Sequence, residues 1–524
     1  MTPRRSVIWL LVLCGLIVVG SFLYSLFWDK PVRPLPLSRE TTYFTGPLDA
    51  EGYIDYKAAL NDLLSEGVTP ETNANVLIWQ AIGPRPEGVA MPPELFRRLG
   101  ISEPPPRGNY FTGLTEFLKH RLKLHQAELE VLLEQEDELA SKPWEREEHP
   151  FVAAWLDANE EPLMILLEAT RRPRYYNPLV SISPKPTPVV FALLPNVPKC
   201  REAVKALTAR AMLKVAEGDY ESAWQDLLAC HRLARLLGQG STLVEYISGL
   251  AVEQMACQAD LVFLDSANLT SEQIKRYLGD LQALPPLSSP ADKFDVAERV
   301  VCLDMLQLAR RGEMGQFTAL GTGTPSRKAT WFERQALANV DWEPVFRNAN
   351  EWYDRLAKAL RENDRTTREK ALQEIDAELA RRRRDLSGPN IVFAWLSPRK
   401  NLGVAISETL MSLLTPAVLR VQKSHEKTEQ THRNLLIAFA LAAYRSEHGQ
   451  YPETLDALAP EYLPTVPNDV FTGKPLIYRR TQQGYLLYSP GPNDLDEAGR
   501  GADDDPRGDD ISVRMPRNET RRRD

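Results

Sequence analysis

The densest concentration of reactive side chains lies near the C-terminus. Between Asn493 and Asp510 stand eight acidic residues and two arginines, a local charge of −6 within a chain whose formal net charge is −8. Clustered carboxylates on a Gly-containing loop supply the oxygen donors a hard cation takes; the plain alternative is a solvated acidic turn. The D-x-[DN]-x-[DN]-G spacing of an EF-hand is absent. His425-Glu426 and His432 also offer metal-binding groups. Seven residues separate those imidazoles, about 10 Å along a helix, too far for one zinc with bonds near ~2 Å. His120 and His125 are five apart and point to different sides of a helix. His231 falls on an apolar stripe with Trp224 and Leu227 and reads as a packing histidine. Glu245, Glu253 and Asp260 sit along one helical stretch, placed either for hydrogen bonds between helices or to line a pocket. Neither G-x-S-x-G, G-x-x-x-x-G-K-[ST] nor G-x-G-x-x-G occurs, so no nucleophile elbow or phosphate loop announces an enzyme.

The five cysteines (14, 200, 230, 257 and 302) include no C-x-x-C pair. That argues against zinc ribbons and thioredoxin-type redox sites. The four beyond residue 14 are read either as core thiols or, in an oxidising compartment, as partners in disulfides. Apolar residues make up 43% and charged residues 26% of the 524, as in a folded globular chain. With 63 basic against 71 acidic side chains, there is no basic excess to grip a nucleic-acid backbone, and no nucleic-acid partner is expected.

The elements that must position these groups begin with an anchor. Arg4 and Arg5 precede Ser6 to Trp28, 23 residues without a charge, enough helix to cross a ~30 Å hydrocarbon core. Bulky Phe22, Leu23, Tyr24, Leu26 and Phe27 occupy the zone where a signal peptidase would need small residues. Residues 1–30 are therefore expected to be a cytoplasmic tip and an uncleaved transmembrane signal anchor. Residues 31–47 then form a Pro-rich tether. The expected location is a bacterial inner membrane, with the bulk of the chain periplasmic.

Residues 48–400 read as a large α-helical domain. Helical periodicity is expected at 54–65, 71–81, 114–139, 151–170, 199–265, 271–283, 291–313, 331–360 and 366–385. Gly83 to Arg107, with seven prolines, is expected to be an irregular loop, and residues 312–330 a Gly/Thr-rich one. Arg381 to Arg384 is read as a solvated helix end, or else a phosphate or lipid-headgroup contact. Gly218-Asp219-Tyr220-Glu221-Ser222-Ala223-Trp224 resembles one tetratricopeptide-type helix pair, without a second copy.

Residues 401–515 are expected to form a long helix plus a small α+β module, followed by an Arg-rich tail at 516–524. Leu435 to Tyr444 is continuously apolar, Gly449 suits a helix end, and strands are expected at 476–480, 485–489 and 510–513. The ordered landmarks Gly449-x-Tyr451-Pro452, Tyr462-Leu463-Pro464, Pro467-x-Asp469, Gly484-Tyr485, Tyr488-Ser489-x-Gly491 and Asp510-Ile511 resemble the globular part of type II secretion major pseudopilins. The resemblance covers about 85 residues; Arg4-Arg5-Ser6-Val7 does not read as a processed pseudopilin leader, and some 400 residues separate it from the module. It implies a calcium ion in the loop before the last strand. By position it assigns Asp494, Asp496 and Asp510, with Asp503, Asp504 and Asp505 beside them.

The sequence thus predicts a mainly α fold: a transmembrane helix, an α-helical array that is tetratricopeptide-like in part, and a pseudopilin-like end. The expected function is a membrane-anchored interaction or scaffold protein with protein partners. An accessory part of a secretion or pilus-like apparatus, or an enzyme without a recognisable motif, are the alternatives.

Overall fold

The apolar stripes between 199 and 265 fold as three long helices: α3 (Asn196–Ala216), α4 (Tyr220–Gln239) and α5 (Leu243–Ser266). Two of them are started by side-chain caps. Asp219 caps α4 by accepting from Ser222 N, and Thr242 and Glu245 form a reciprocal capping box at the start of α5, satisfying backbone donors that the first turn leaves open. The computed structural model describes residues 20, 35–122, 138–181, 187–313, 337, 340–385 and 403–517. The proposed anchor at 6–28 apart from residue 20, most of the loop at 312–330 and the tail from 518 lie outside the described residues.

The chain divides into two compact units, each built from separated stretches of sequence. The larger comprises residues 65–182, 193–288 and 421–524. Two helices of its first stretch, α1 (Ala74–Ile82) and α2 (Glu160–Ala169), pack on each other. The single helix expected at 151–170 is broken at Asn159. Pro162 has no N–H to continue the ladder across that point, and the Asn159 side chain instead bonds Thr112 and the carbonyl of Trp155. The Pro-rich stretch 83–107 is also more ordered than expected, since Pro93 opens a short helix, Pro93–Leu99. Proline is favoured there because a first-turn residue needs no N–H partner.

Helix α6 (Ser271–Gln282) packs on α4, and the long helix α7 (Gly403–His448) enters the larger unit from Val421 onward. Beyond α7 come the three expected strands, β1 (Ile477–Arg480), β2 (Tyr485–Ser489) and β3 (Ile511–Met515), in a purely antiparallel meander. Ile477 pairs with Tyr488, and Ser489 with Ile511. The β1–β2 turn demands glycine at 484, because a Cβ there would stand 1.7 Å from the Met515 carbonyl oxygen.

A domain boundary was expected near 400, but Leu435, Ile437, Phe439 and Leu441 of α7 join Trp224, Phe263 and Tyr277 in one core with Tyr451, Tyr485 and Val513. The reason is visible in the sequence: an apolar run of ten consecutive residues is hydrophobic on every face, and a three-stranded sheet covers only one. Helices α4 to α6 supply the rest. Helix α5 is the one described helix long and apolar enough to cross a membrane, yet two thirds of its apolar window is buried inside the protein. It is the central core helix.

The smaller unit comprises residues before 65, 183–192 and 289–420. Its centre is the helix Trp342–Leu360, whose Val345, Phe346, Ala349, Trp352, Tyr353 and Leu356 face inward against Arg299–Arg310. Part of the expected tether is packed here. Thr41 and Thr42 are buried, the Asn350 amide donates to the Thr41 carbonyl, and the Arg299 guanidinium lies 4.8 Å from the Tyr43 ring centre. Arg299 also bonds Asp295 and Asp354 at 2.6 and 2.7 Å.

Candidate functional site

Two groups of chemistry-bearing side chains converge, both within the larger unit. The first lies between β2 and β3, in the acidic loop. Carboxylate oxygens of Glu497, Asp509 and Asp510 lie within 4.8 Å of one another. Asp510 leads directly into β3 and is 4% exposed. Its Oδ2 accepts from the Gly499 amide at 2.6 Å, while its Oδ1 is buried without a partner. Asp509 likewise accepts from the Asn493 amide through Oδ2 and leaves a buried, unpartnered Oδ1. Burial, reinforced by the Glu497 charge, pushes the Asp510 carboxyl up to about 6 and raises Asp509 as well. The Asn493 amide holds Glu497 below the usual carboxylate range. Orphaned acceptors among crowded carboxylates match the donor chemistry of calcium, which takes six to eight oxygens.

Of the six aspartates assigned from sequence, Asp510 alone belongs to this cluster. Asp496 accepts from the Tyr488 hydroxyl and the Ala498 amide. Asp504 accepts from the Gly501 amide and faces Arg514 at 3.4 Å. Asp503 and Asp505 are exposed, and Asp494 is an exposed turn residue with φ of 59°. Glu497 and Asp509 were the members missed. A loop that doubles back on itself brings together residues twelve apart, which a positional match along the chain does not reveal.

The second group is enclosed by helices α4, α5 and α7. His231 and Arg235 are one turn apart on α4; Glu253, Cys257 and Asp260 follow at i, i+4 and i+7 on α5, and His432 projects from α7. His231 Nδ1 lies 3.0 Å from Glu253 Oε2 and its Nε2 2.9 Å from Asp260 Oδ2, with all three side chains at 0% exposure. Arg235 approaches Glu253 Oε2 at 2.6 Å, and His432 Nδ1 approaches Oε1 at 2.9 Å. Burial alone would lower the His231 pKa, but the two flanking carboxylates push it up to about 10. Burial opposes ionisation of Glu253, and His231 and Arg235 overcome it, holding that carboxyl well below its usual range. Burial keeps Asp260 raised.

His231 is thus a core histidine with both nitrogens engaged, and Glu253 and Asp260 make the hydrogen bonds between helices that the sequence offered as one reading. Glu245, also fully buried, bonds Thr242 in the capping box and accepts from Tyr175 and Asn177 of the non-helical stretch that follows α2. His425 meets the Tyr246 hydroxyl at 2.9 Å, apart from His432. The His120 side chain and all of His125 lie outside the described residues. Cys200, Cys230, Cys257 and Cys302 are buried free thiols, and burial pushes Cys200 and Cys302 up to about 12. Arg382 pairs with Glu378, while Arg381 and Arg384 are exposed. Two surface depressions, one lined by Gly113, Glu116, Lys119 and Glu202 and the other by Trp352, Arg355, Glu378 and Met411, include no member of either group.

No family model, curated protein or solved structure matches the chain.

Proposed function

We propose that this chain is a membrane-anchored, extracytoplasmic protein that works by holding other proteins and not by catalysis. Residues 6–28 would fix it in a bacterial inner membrane, with the two units periplasmic. The observation that carries the reading is the closure of the histidine–carboxylate group. A general base must reach its substrate, and His231, Glu253 and Asp260 are sealed among three helices with no exposed surface. The α3–α4 pair, turning at Gly218-Asp219, supports a tetratricopeptide-like binding surface in this part of the unit.

Photocrosslinking of the full chain in its membrane tests this. Val244 and Ile247, on the first turns of α5, are 56% and 44% exposed. A photoreactive side chain at either position is expected to give discrete protein adducts, whereas the same group at buried Val252 gives none. Equal labelling at all three sites, or fractionation of the chain with soluble cytoplasm, would overturn the proposal.

A second reading, an accessory of a type II secretion or pilus-like apparatus with calcium in its last loop, draws support from one arrangement. A long helix leads to a three-stranded meander whose β2–β3 loop gathers Glu497, Asp509 and Asp510. Calcium binding to the folded state should raise the melting midpoint of the full chain relative to EDTA. Asp510→Ala should abolish most of that rise. Superimposable melts at saturating calcium would exclude the ion, and absence of secretion components from crosslinked complexes would exclude the apparatus.

A further inference from the structure

Glu253 gathers more partners than a packing role requires. Its Oε1 lies 2.9 Å from His432 Nδ1 and 3.8 Å from Cys257 Sγ, and its Oε2 lies 3.0 Å from His231 Nδ1. One donor atom from each of these four residues lies within 4.8 Å of the other three. Around a zinc ion with bonds of about 2.0–2.3 Å, tetrahedral donors stand roughly 3.3–3.7 Å apart. Donors at most 4.8 Å apart reach that spacing by side-chain movements of about 1 Å. His432 Nδ1 is buried and lies 2.9 Å from Glu253 Oε1 without an aligned hydrogen bond.

We propose that His231, Glu253, Cys257 and His432 form a structural site for a zinc-class divalent metal that clamps α4, α5 and α7. The donors are imidazole, carboxylate and thiol, the borderline-to-soft set that selects zinc over calcium or magnesium. Four protein ligands leave no open position, as in structural and not catalytic zinc centres. The surrounding groups also fit. Asp260 Oδ2 sits 2.9 Å from His231 Nε2, so an Nε2–H donated to it leaves the Nδ1 lone pair for the metal, the carboxylate–histidine–metal relay common around such ions. Arg235 steadies the Glu253 carboxylate through both oxygens, at 2.6 Å to Oε2 and 3.1 Å to Oε1, and each carboxylate oxygen still has a further lone pair. The site is separate from the acidic loop and does not rest on the scaffold reading.

The test uses the full chain in detergent. About one equivalent of zinc per chain is expected by elemental analysis, surviving competition with a chromophoric chelator. Cobalt in its place should show the intense visible bands of a tetrahedral ion and a thiolate-to-cobalt charge-transfer band. Cys257→Ser should remove the charge-transfer band. His432→Gln, at a side chain 13% exposed, should weaken zinc binding at least about tenfold while helix content is retained. Asp260→Asn should weaken it by about 10–100-fold. Asp510→Asn, in the acidic loop, should change none of these values. The proposal fails if the wild-type chain holds no stoichiometric zinc and its cobalt remains octahedral, observations that need no variant to fold. It fails equally if His432→Gln and Cys257→Ser bind zinc as the wild type does.

Discussion

At Asp226 one carboxylate holds two cations. Arg210 of α3 reaches it with Nε and Nη2 at 2.9 and 2.6 Å, and Lys214 adds a third contact at 2.7 Å, while Asp226 itself is fully buried. Removing the anion strands two partly buried cations, a change that costs about 3–5 kcal/mol when a buried pair is broken. Both cations retain some exposure, so Asp226→Ala is expected to cost about 3 kcal/mol, read from the urea midpoint; a loss below about 1 kcal/mol would show the trio to be ornamental. Trp224, on the same helix, stacks 4.5 Å from the Tyr277 ring and donates to Asp280 at 2.8 Å. Trp224→Ala should cost about 3–5 kcal/mol by the same measurement. The sequence made Trp224 and His231 legible as inward-facing residues, because their spacing follows the helical period. It left Glu253 and Asp260 undecided between bonding and lining a pocket, since the choice depends on what α4 and α7 bring opposite them, 20 to 180 residues away.

Between helices, the α4–α5 crossing depends on Gly249. A Cβ there would stand 2.8 Å from the Ala234 carbonyl oxygen and 3.0 Å from the Gly238 nitrogen, both of them α4 backbone that cannot rotate aside. Alanine is favoured over glycine within a helix by about 1 kcal/mol, whereas forcing extra volume into a packed contact costs about 1–3 kcal/mol. Gly249→Ala is therefore expected to lower stability despite the gain in propensity, and a raised midpoint would refute the close crossing. Where α7 ends, Glu447 accepts from Lys275 and Tyr462 at 2.5 Å and from Ser271 at 2.8 Å. Bonds from Lys275, then Tyr462 and Ser271, hold its carboxyl down to about 2. A carboxyl depressed on folding stabilises above its unfolded pKa of about 4.3, and that contribution fades as the pH falls toward 2. Glu447→Gln should therefore melt lower than wild type at pH 7, and the gap should close progressively between about pH 4.5 and 2. A gap of constant size across that range would rule out the linkage. Most helix positions were legible from periodicity and caps. The break at Asn159 and the helix at Pro93 were not, because each turns on where one proline falls relative to a helical turn.

For the whole molecule, the larger unit draws on three separated stretches of chain, and that is what the sequence disclosed least. Residues 401–515 looked self-sufficient because a helix followed by a meander reads as a small module complete in itself. That reading says nothing about the faces of α7 left over once the sheet is in place, and Phe439 meets Trp224 at 5.7 Å between ring centres. The isolated 425–524 fragment is accordingly expected to lack a cooperative melt by far-ultraviolet circular dichroism, as is a chain stopped at residue 420 in its larger unit. A sharp transition in the fragment would restore the module as an independent domain.

Phe439 follows Trp224 by more than two hundred residues, and that separation sets a schedule for synthesis. At roughly 5–20 residues per second, α4 and α5 leave the ribosome some ten to forty seconds before the stretch of α7 that covers them. During that interval Trp224, Phe263 and Tyr277 have no lid, and the partners of His231 and Glu253 are incomplete. The nascent chain therefore carries this apolar surface uncovered for a defined period. Synonymous codon changes that slow translation between residues 289 and 420 would lengthen it without altering a single side chain.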